Sequence, residues 1–132
     1  MFEKLELTRM AQAMAAHAGA RLSVVAQNVA HADTPGYRAG DVASFAESYA
    51  QNAHHMEMRA TRAGHLTGDA GSGDMPPLEV RRKSLAGAPN GNSVSLEQEM
   101  VKAASARQDH EMALAIYRNT SAIIRASLGR QG

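Results

Sequence analysis

Between residues 5 and 32 the apolar positions Leu7, Ala11, Met14, Ala18, Leu22, Val25 and Val29 recur at steps of four, three, four, four, three and four. Their mean step of about 3.67 lies next to the 3.6 period of a straight α-helix. Arg9, Gln12, Gln27 and Asn28 fall off this line. The pattern predicts an amphipathic helix of roughly 27 residues, about 40 Å long at ~1.5 Å per residue. Small side chains at Ala11 and Ala18 alternate with larger ones, which lets a second helix approach closely.

Asp33-Thr34-Pro35-Gly36-Tyr37 stops that helix. Pro35 disfavours the α conformation at Thr34 and has no N–H to donate, while Gly36 accepts positive φ. Pro-Gly at the two central positions suits a type II turn, and Asp33 is expected to bond nearby backbone N–H groups. From Asp41, "DVASFAESYAQNAHHMEM" predicts a shorter helix over residues 43–53, capped by Asp41, with Phe45, Tyr49, Asn52 and Met56 along one side.

Residues 64–77 hold four glycines and two prolines, a composition that buries too little apolar surface to offset ordering entropy and predicts a flexible loop. "LEVRRKS", residues 78–84, alternates like a strand, and the following "APNGN" carries an Asn-Gly turn signal. The middle of the chain is thus expected to make at most one short hairpin.

Ser95-Leu96-Glu97-Gln98 fits a capping box opening a last helix, with Ser93 as the other candidate cap. Beyond it Leu96, Met100, Ala103, Arg107, His110, Leu114, Tyr117, Ser121, Ile124 and Leu128 keep steps of four and three. That is a coiled-coil rhythm with three polar interruptions. The run from Met112 through Leu114 and Ile116 to Tyr117 is apolar throughout, and Ile123 and Ile124 are adjacent. A helix apolar all round is covered by more than one neighbour. The expected fold is mainly α. Long N- and C-terminal helices (1–33 and 93–130) pair as a coiled-coil-like hairpin, and residues 34–92 supply the turn, a short helix and the loop of a single domain.

Composition changes this picture in one respect. Hydrophobic residues make up 44% of the 132, yet the chain has three Tyr, two Phe and no Trp. Buried aromatics contribute disproportionate area, so the core of an isolated subunit should be thin or be completed by neighbouring molecules. The formal charge of +1, with Lys and Arg scattered, does not form a phosphate-neutralising surface, and no nucleic-acid partner is expected. Without cysteine there is no disulfide framework and no thiolate metal site. Glu3 and Glu6 stand where a signal peptide carries basic residues, and no apolar window reaches membrane-span length. Neither a cleaved signal nor a membrane span is expected.

Candidate chemistry is sparse. His54 and His55 with Met56, Glu57 and Met58 have copper-like donors, but adjacent side chains on a helix point about 100° apart and no third ligand stands at a matching position. Glu97 and Glu99, two apart, face different ways, and their place in a first helical turn is better explained by the helix dipole. Arg81-Arg82-Lys83 reads as a solvated strand edge. No nucleophile elbow, phosphate loop or dinucleotide fingerprint occurs. No catalytic residue, cofactor, metal or small-molecule substrate is expected.

One stretch is more specific. "LSVVAQNVAHADTPGYRA" follows a long amphipathic helix and precedes a loop-rich middle and a C-terminal coiled-coil helix. This set resembles the flagellar basal-body rod family, whose N-terminal motif is similar to Leu-x-x-x-Ala-x-Asn-(Ile/Leu/Val)-Ala-(Asn/His)-Ala-(Asn/Asp)-Thr-Pro-Gly-(Tyr/Phe). Leu22, Ala26, Asn28, Val29, Ala30, His31, Ala32, Asp33, Thr34, Pro35, Gly36 and Tyr37 match it, with His31 where Asn is more usual. The short length and the lack of a large β domain between the helices point to the proximal-rod members. The resemblance covers residues 1–60 and 90–130 well and the intervening loop poorly.

The resemblance implies a structural subunit whose terminal helices stack with those of neighbours into a helical tube crossing the periplasm and transmitting torque. It also implies export through the flagellar type III channel. The implied partners are further copies of the chain, other rod proteins of the FlgC, FlgF and FlgG types, a FliE-type junction protein, the export machinery and the rod cap. The competing expectation is an adaptor or export-regulating helical protein of the same secretion apparatus.

Overall fold

The computed structural model describes residues 2–53, 79–82 and 89–129. Among these residues three helices, α1 (Phe2–Ala30), α2 (Phe45–Ala53) and α3 (Leu96–Leu128), are joined with two short strands, β1 (Gly40–Val42) and β2 (Val80–Arg82). The protein is mainly helical, and α1 and α3 pack along each other as a hairpin. Arg21 lies 3.5 Å from Asp109, and Asn28 bonds Glu99 at 2.9 Å. Residues that advance along α1 therefore meet residues that recede along α3, and the helices are antiparallel.

The apolar part of the seam between them is mostly alanine. On α1 it buries Ala11, Ala18 and Val25, spaced by seven. On α3 it buries Glu99, Ala106, Ala113 and Thr120, also spaced by seven. The coiled-coil rhythm is thus present, but on α3 its buried line falls one residue before the predicted Met100, Arg107, Leu114 and Ser121. Met100 is 73% exposed, and Leu96, Tyr117 and Leu128 are exposed too. Alanine lets the backbones approach to the close end of helix–helix distances. The rotation that achieves this is pinned by the polar links at Asn28–Glu99 and Arg21–Asp109.

The predicted stripe on α1 needs a matching correction. Ala11, Ala18 and Val25 are buried and Met14 and Leu22 half-buried, whereas Leu7 and Val29 are exposed. Asn28, placed off the stripe by its polarity, is 1% exposed.

The other elements differ from expectation in instructive ways. Helix α2 is capped by Ser44 rather than Asp41: the Glu47 N–H donates to Ser44 Oγ and the Ser44 N–H to Glu47 Oε2, each at 3.3 Å. That is a capping box. Asp41 lies in β1, which pairs antiparallel with β2 in the register Gly40↔Arg82, Asp41↔Arg81 and Val42↔Val80. The small sheet therefore joins segments on either side of α2 and residues 54–78, not the two arms of a local hairpin. At the start of α3, Ser95 makes no side-chain capping bond. Ser93 is no cap either, because its Oγ accepts from the Ala39 N–H at 2.8 Å. The flexible-loop reading of residues 64–77, the histidine pair at 54 and 55, Met56 and Lys83 lie outside the described residues.

Candidate functional site

The motif region forms a joint where α1 ends, and two asparagines organise it. The Asn28 amide donates to Gly40 O at 2.7 Å and to Glu99 Oε2 at 2.9 Å. Its Oδ1 accepts from the Gly40 N–H at 2.9 Å and from the Tyr37 hydroxyl at 3.3 Å. One side chain thus pairs with both polar groups of the Gly40 residue, as a neighbouring strand would. Only an amide can do so, because a carboxylate would face the Gly40 carbonyl and the Glu99 carboxylate with no hydrogen to offer.

Gly40 is small for a reason. A Cβ there would lie 2.8 Å from Val80 Cγ1 and 3.3 Å from Val24 Cγ1. Absence of a side chain lets β1 press onto α1 close enough for the Asn28 bonds to form. Glu99, 2% exposed, is held on its other oxygen by Lys102 Nζ at 3.0 Å, and the same ammonium stands 3.5 Å from Asp41 Oδ1. A buried charge is tolerated when it is paired and hydrogen-bonded; Glu99 has both conditions met, beyond the helix-dipole role its position alone indicates.

The second organiser, Asn92, arrives from the loop preceding α3. Its Nδ2 lies 2.9 Å from His31 O, 2.7 Å from Ala32 O and 2.8 Å from Thr34 O. Its Oδ1 accepts from the Val94 N–H at 2.8 Å. The last carbonyls of a helix have no partner within it, and here a distant side chain collects those just past the end of α1. The chain itself tightens there: the Ala32 N–H reaches Val29 O and the Thr34 N–H reaches His31 O, both across three residues.

The Tyr37 N–H closes the Pro-Gly turn onto Thr34 O at 3.3 Å, and Gly36 has φ 73°, as a type II turn requires. The Asn90-Gly91 corner, expected to close a hairpin, docks against this turn instead. The Gly36 N–H donates to Asn90 O and the Ser93 N–H to Tyr37 O, each at 3.0 Å. Tyr37 also stacks on His31, with ring centroids 4.6 Å apart and planes 7° from parallel. Imidazole at position 31 supplies a flat face for that stack, and its Nδ1 lies 2.8 Å from Gln27 O.

Not every motif residue takes part. Asp33 is exposed and accepts no hydrogen bond from the described residues, contrary to the Asx expectation. Ala26 and Ala30 are exposed, Leu22 half-buried, and Thr34 and Pro35 act through backbone conformation. Gly40, Asn92, Glu99 and Lys102 were not picked out as site residues by sequence reasoning. Their signal is faint, since each needs its partner from another segment to acquire meaning.

Among the described residues no group of three or more histidine and carboxylate side chains converges as metal ligands would. No helix among them is long and apolar enough to cross a membrane. The polar groups of Asn28 and Asn92 are engaged with the protein itself, so the site's product is an angle between α1 and the chain leaving it. Comparison with models of known protein families and with curated proteins finds no match for this chain.

Proposed function

We propose that this chain is a structural subunit that assembles through the outer faces of its helical hairpin, with the Asn28–Asn92 joint holding the chain's exit from α1 at a fixed angle. In its most specific form the proposal is a proximal rod subunit of the bacterial flagellar basal body, of the FlgB type. The uninterrupted run "ADTPGYRAGDVASFAE", in which short α2 follows the turn, and the acidic start of α3 after Asn90-Gly91-Asn92 support that choice over the FlgC type.

One observation carries the reading: the apolar side chains that α3 buries are alanines, while its large apolar side chains are half-buried or exposed. On α3, Met100, Leu114, Tyr117 and Leu128 flank the buried alanine line on one side, and Met112, Ile116 and Ile123 flank it on the other, by the 100° step of the helix. Of these only Leu114 and Ile116 are half-buried. Val101, 70% exposed, points away from α1 altogether. Covering one large apolar side chain contributes ~1.5–3 kcal/mol, so neighbours that cover these flanks gain substantial binding energy. A head-to-tail contact that does not close into a ring builds a filament.

The test is a deletion in the parent bacterium combined with mass spectrometry of isolated basal bodies. A rod subunit is expected as a stoichiometric component of intact basal bodies, and its deletion should stop rod assembly and swimming. Recovery with export components but absence from finished basal bodies would replace the proposal by the adaptor reading, and a deletion that swims normally would sink both.

A further inference from the structure

His17 occupies a position unlike any other polar residue of the hairpin. It faces the start of α2 and is 3% exposed, and its Nε2 has no hydrogen-bond partner among the described residues. Its ring meets Phe45, the first residue of α2, edge to face at a centroid distance of 5.7 Å and an angle of 65°. Among the described residues, α2 packs on α1 and not on α3. It has nine residues, and a helix that short is not stable in water without tertiary support. Tyr49 leans on Phe45 at 5.6 Å but is itself exposed. Among the described side chains, the Phe45–His17 ring contact is what ties α2 to α1.

Among the described residues the charged surroundings of the imidazole are few. From α1, Arg21 lies one turn on, and the Nε of its guanidinium is buried without a partner. From α3 comes Asp109, already engaged by Arg21 at 3.5 Å, with His110 half-buried beside it. From the β1–α2 link comes the Ala43 backbone, which offers the ring a hydrogen bond. The carboxylate of α2, Glu47, is turned to its own helix start at Ser44.

We propose that His17 is a proton-operated latch for α2: the neutral imidazole seats Phe45 on α1, and the imidazolium releases it while the α1–α3 hairpin stays closed. A proton on the buried ring adds a positive charge beside Arg21, and among the described residues the nearest carboxylate, Asp109, is already engaged by that arginine. Release of Phe45 lets water reach the ring and solvate that charge. In the closed state burial pulls the imidazole below its ordinary 6.5, the Ala43 backbone opposes this, the Arg21 charge adds to it and Asp109 opposes it. The released state thus binds more protons than the closed one below pH 6.5. Latching is fully present above that value and is lost as pH falls through the window down to the lowered one.

Amide hydrogen exchange on the full chain, corrected for intrinsic rates and compared at about pH 7.5 and about pH 5.5, either side of the free histidine value, tests the latch. Opening of residues 44–49 should rise several-fold in acid, to a ceiling on the order of tenfold at a pH one unit below the free histidine value. The amides around Ala106 and Ala113 should keep their protection. His17→Gln should abolish the response. Should that variant not fold, a second pair decides. Arg21→Met frees Asp109 to pair with the imidazolium and should shrink the response, whereas Asp109→Asn should enlarge it. Equal acid loss across α2 and the α1–α3 seam would overturn the latch, as would a pH-independent α2 or movement of both variants in one direction.

Discussion

At the scale of single residues the joint turns on backbone conformations that side chains ordinarily avoid. Gly36 and Gly91 both have positive φ, 73° and 75°, and face each other across the docked turns. A Cβ built on Gly36 meets nothing within 4 Å, so any penalty for substitution there is conformational and not steric. L-residues in the left-handed region cost about 1–2 kcal/mol, Asn less, and β-branched residues more. Denaturant unfolding should rank the variants Gly36→Asn, Gly36→Ala and Gly36→Val in order of increasing loss, with the alanine variant down by about 1–2 kcal/mol. A valine variant as stable as wild type would show that the turn is not held at positive φ in solution. Gly40 is a different case, small because Val80 and Val24 press on it, and its alanine variant tests crowding instead.

Among the elements, the two long helices, the stop at Pro35-Gly36 and the short α2 were legible from periodicity and turn chemistry, because those signals are local. The rotation of α3 was not. Met100 and Leu114 outweigh Ala106 and Ala113 on any hydrophobic scale, so a sequence pattern assigns the seam to the larger residues. The hairpin instead selects the alanines because the small residues Ala11 and Ala18 on the α1 side of the seam allow close approach, and because Asn28 must reach Glu99. Asn28 was visible as a motif residue but not as a buried one; its burial is offset by Gly40, Tyr37 and Glu99, none of which lies on the same helix face. If the pair fixes the rotation, Asn28→Leu and Glu99→Leu should each destabilise by about 1–3 kcal/mol by leaving the partner's polar atoms unmet. The double variant should cost less than the sum, as coupled sites do. Strict additivity in a double-mutant cycle would argue that the two act separately. Ala113→Leu tests the seam itself: overpacking a tight helix contact costs about 1–3 kcal/mol, whereas the same side chain at the exposed neighbour Ala115 should be nearly neutral.

For the whole molecule, the placement of large apolar side chains separates what the hairpin needs from what an assembly needs. Met112 and Ile123 are about half exposed on the flank of α3 and add little to the fold of one chain. Exposed substitutions away from packed features shift stability by about 0.5 kcal/mol or less. Met112→Ser with Ile123→Ser should therefore leave the unfolding curve of dilute protein almost unchanged. In the parent cell the same pair should block incorporation into the basal body and swimming, because each lost burial at a subunit contact removes ~1.5–3 kcal/mol. Ala113→Leu makes the reciprocal control, since it weakens the monomer first and assembly only as a consequence. The informative comparison is the ratio of the two effects, read by denaturant unfolding and by motility of cells making each variant at equal levels. A double-serine variant that lost monomer stability as steeply as Ala113→Leu would place these side chains in the chain's own core. One that kept both stability and swimming would leave the outer flank without a role in assembly, and with it the proposal that the large residues are outside because neighbouring subunits cover them.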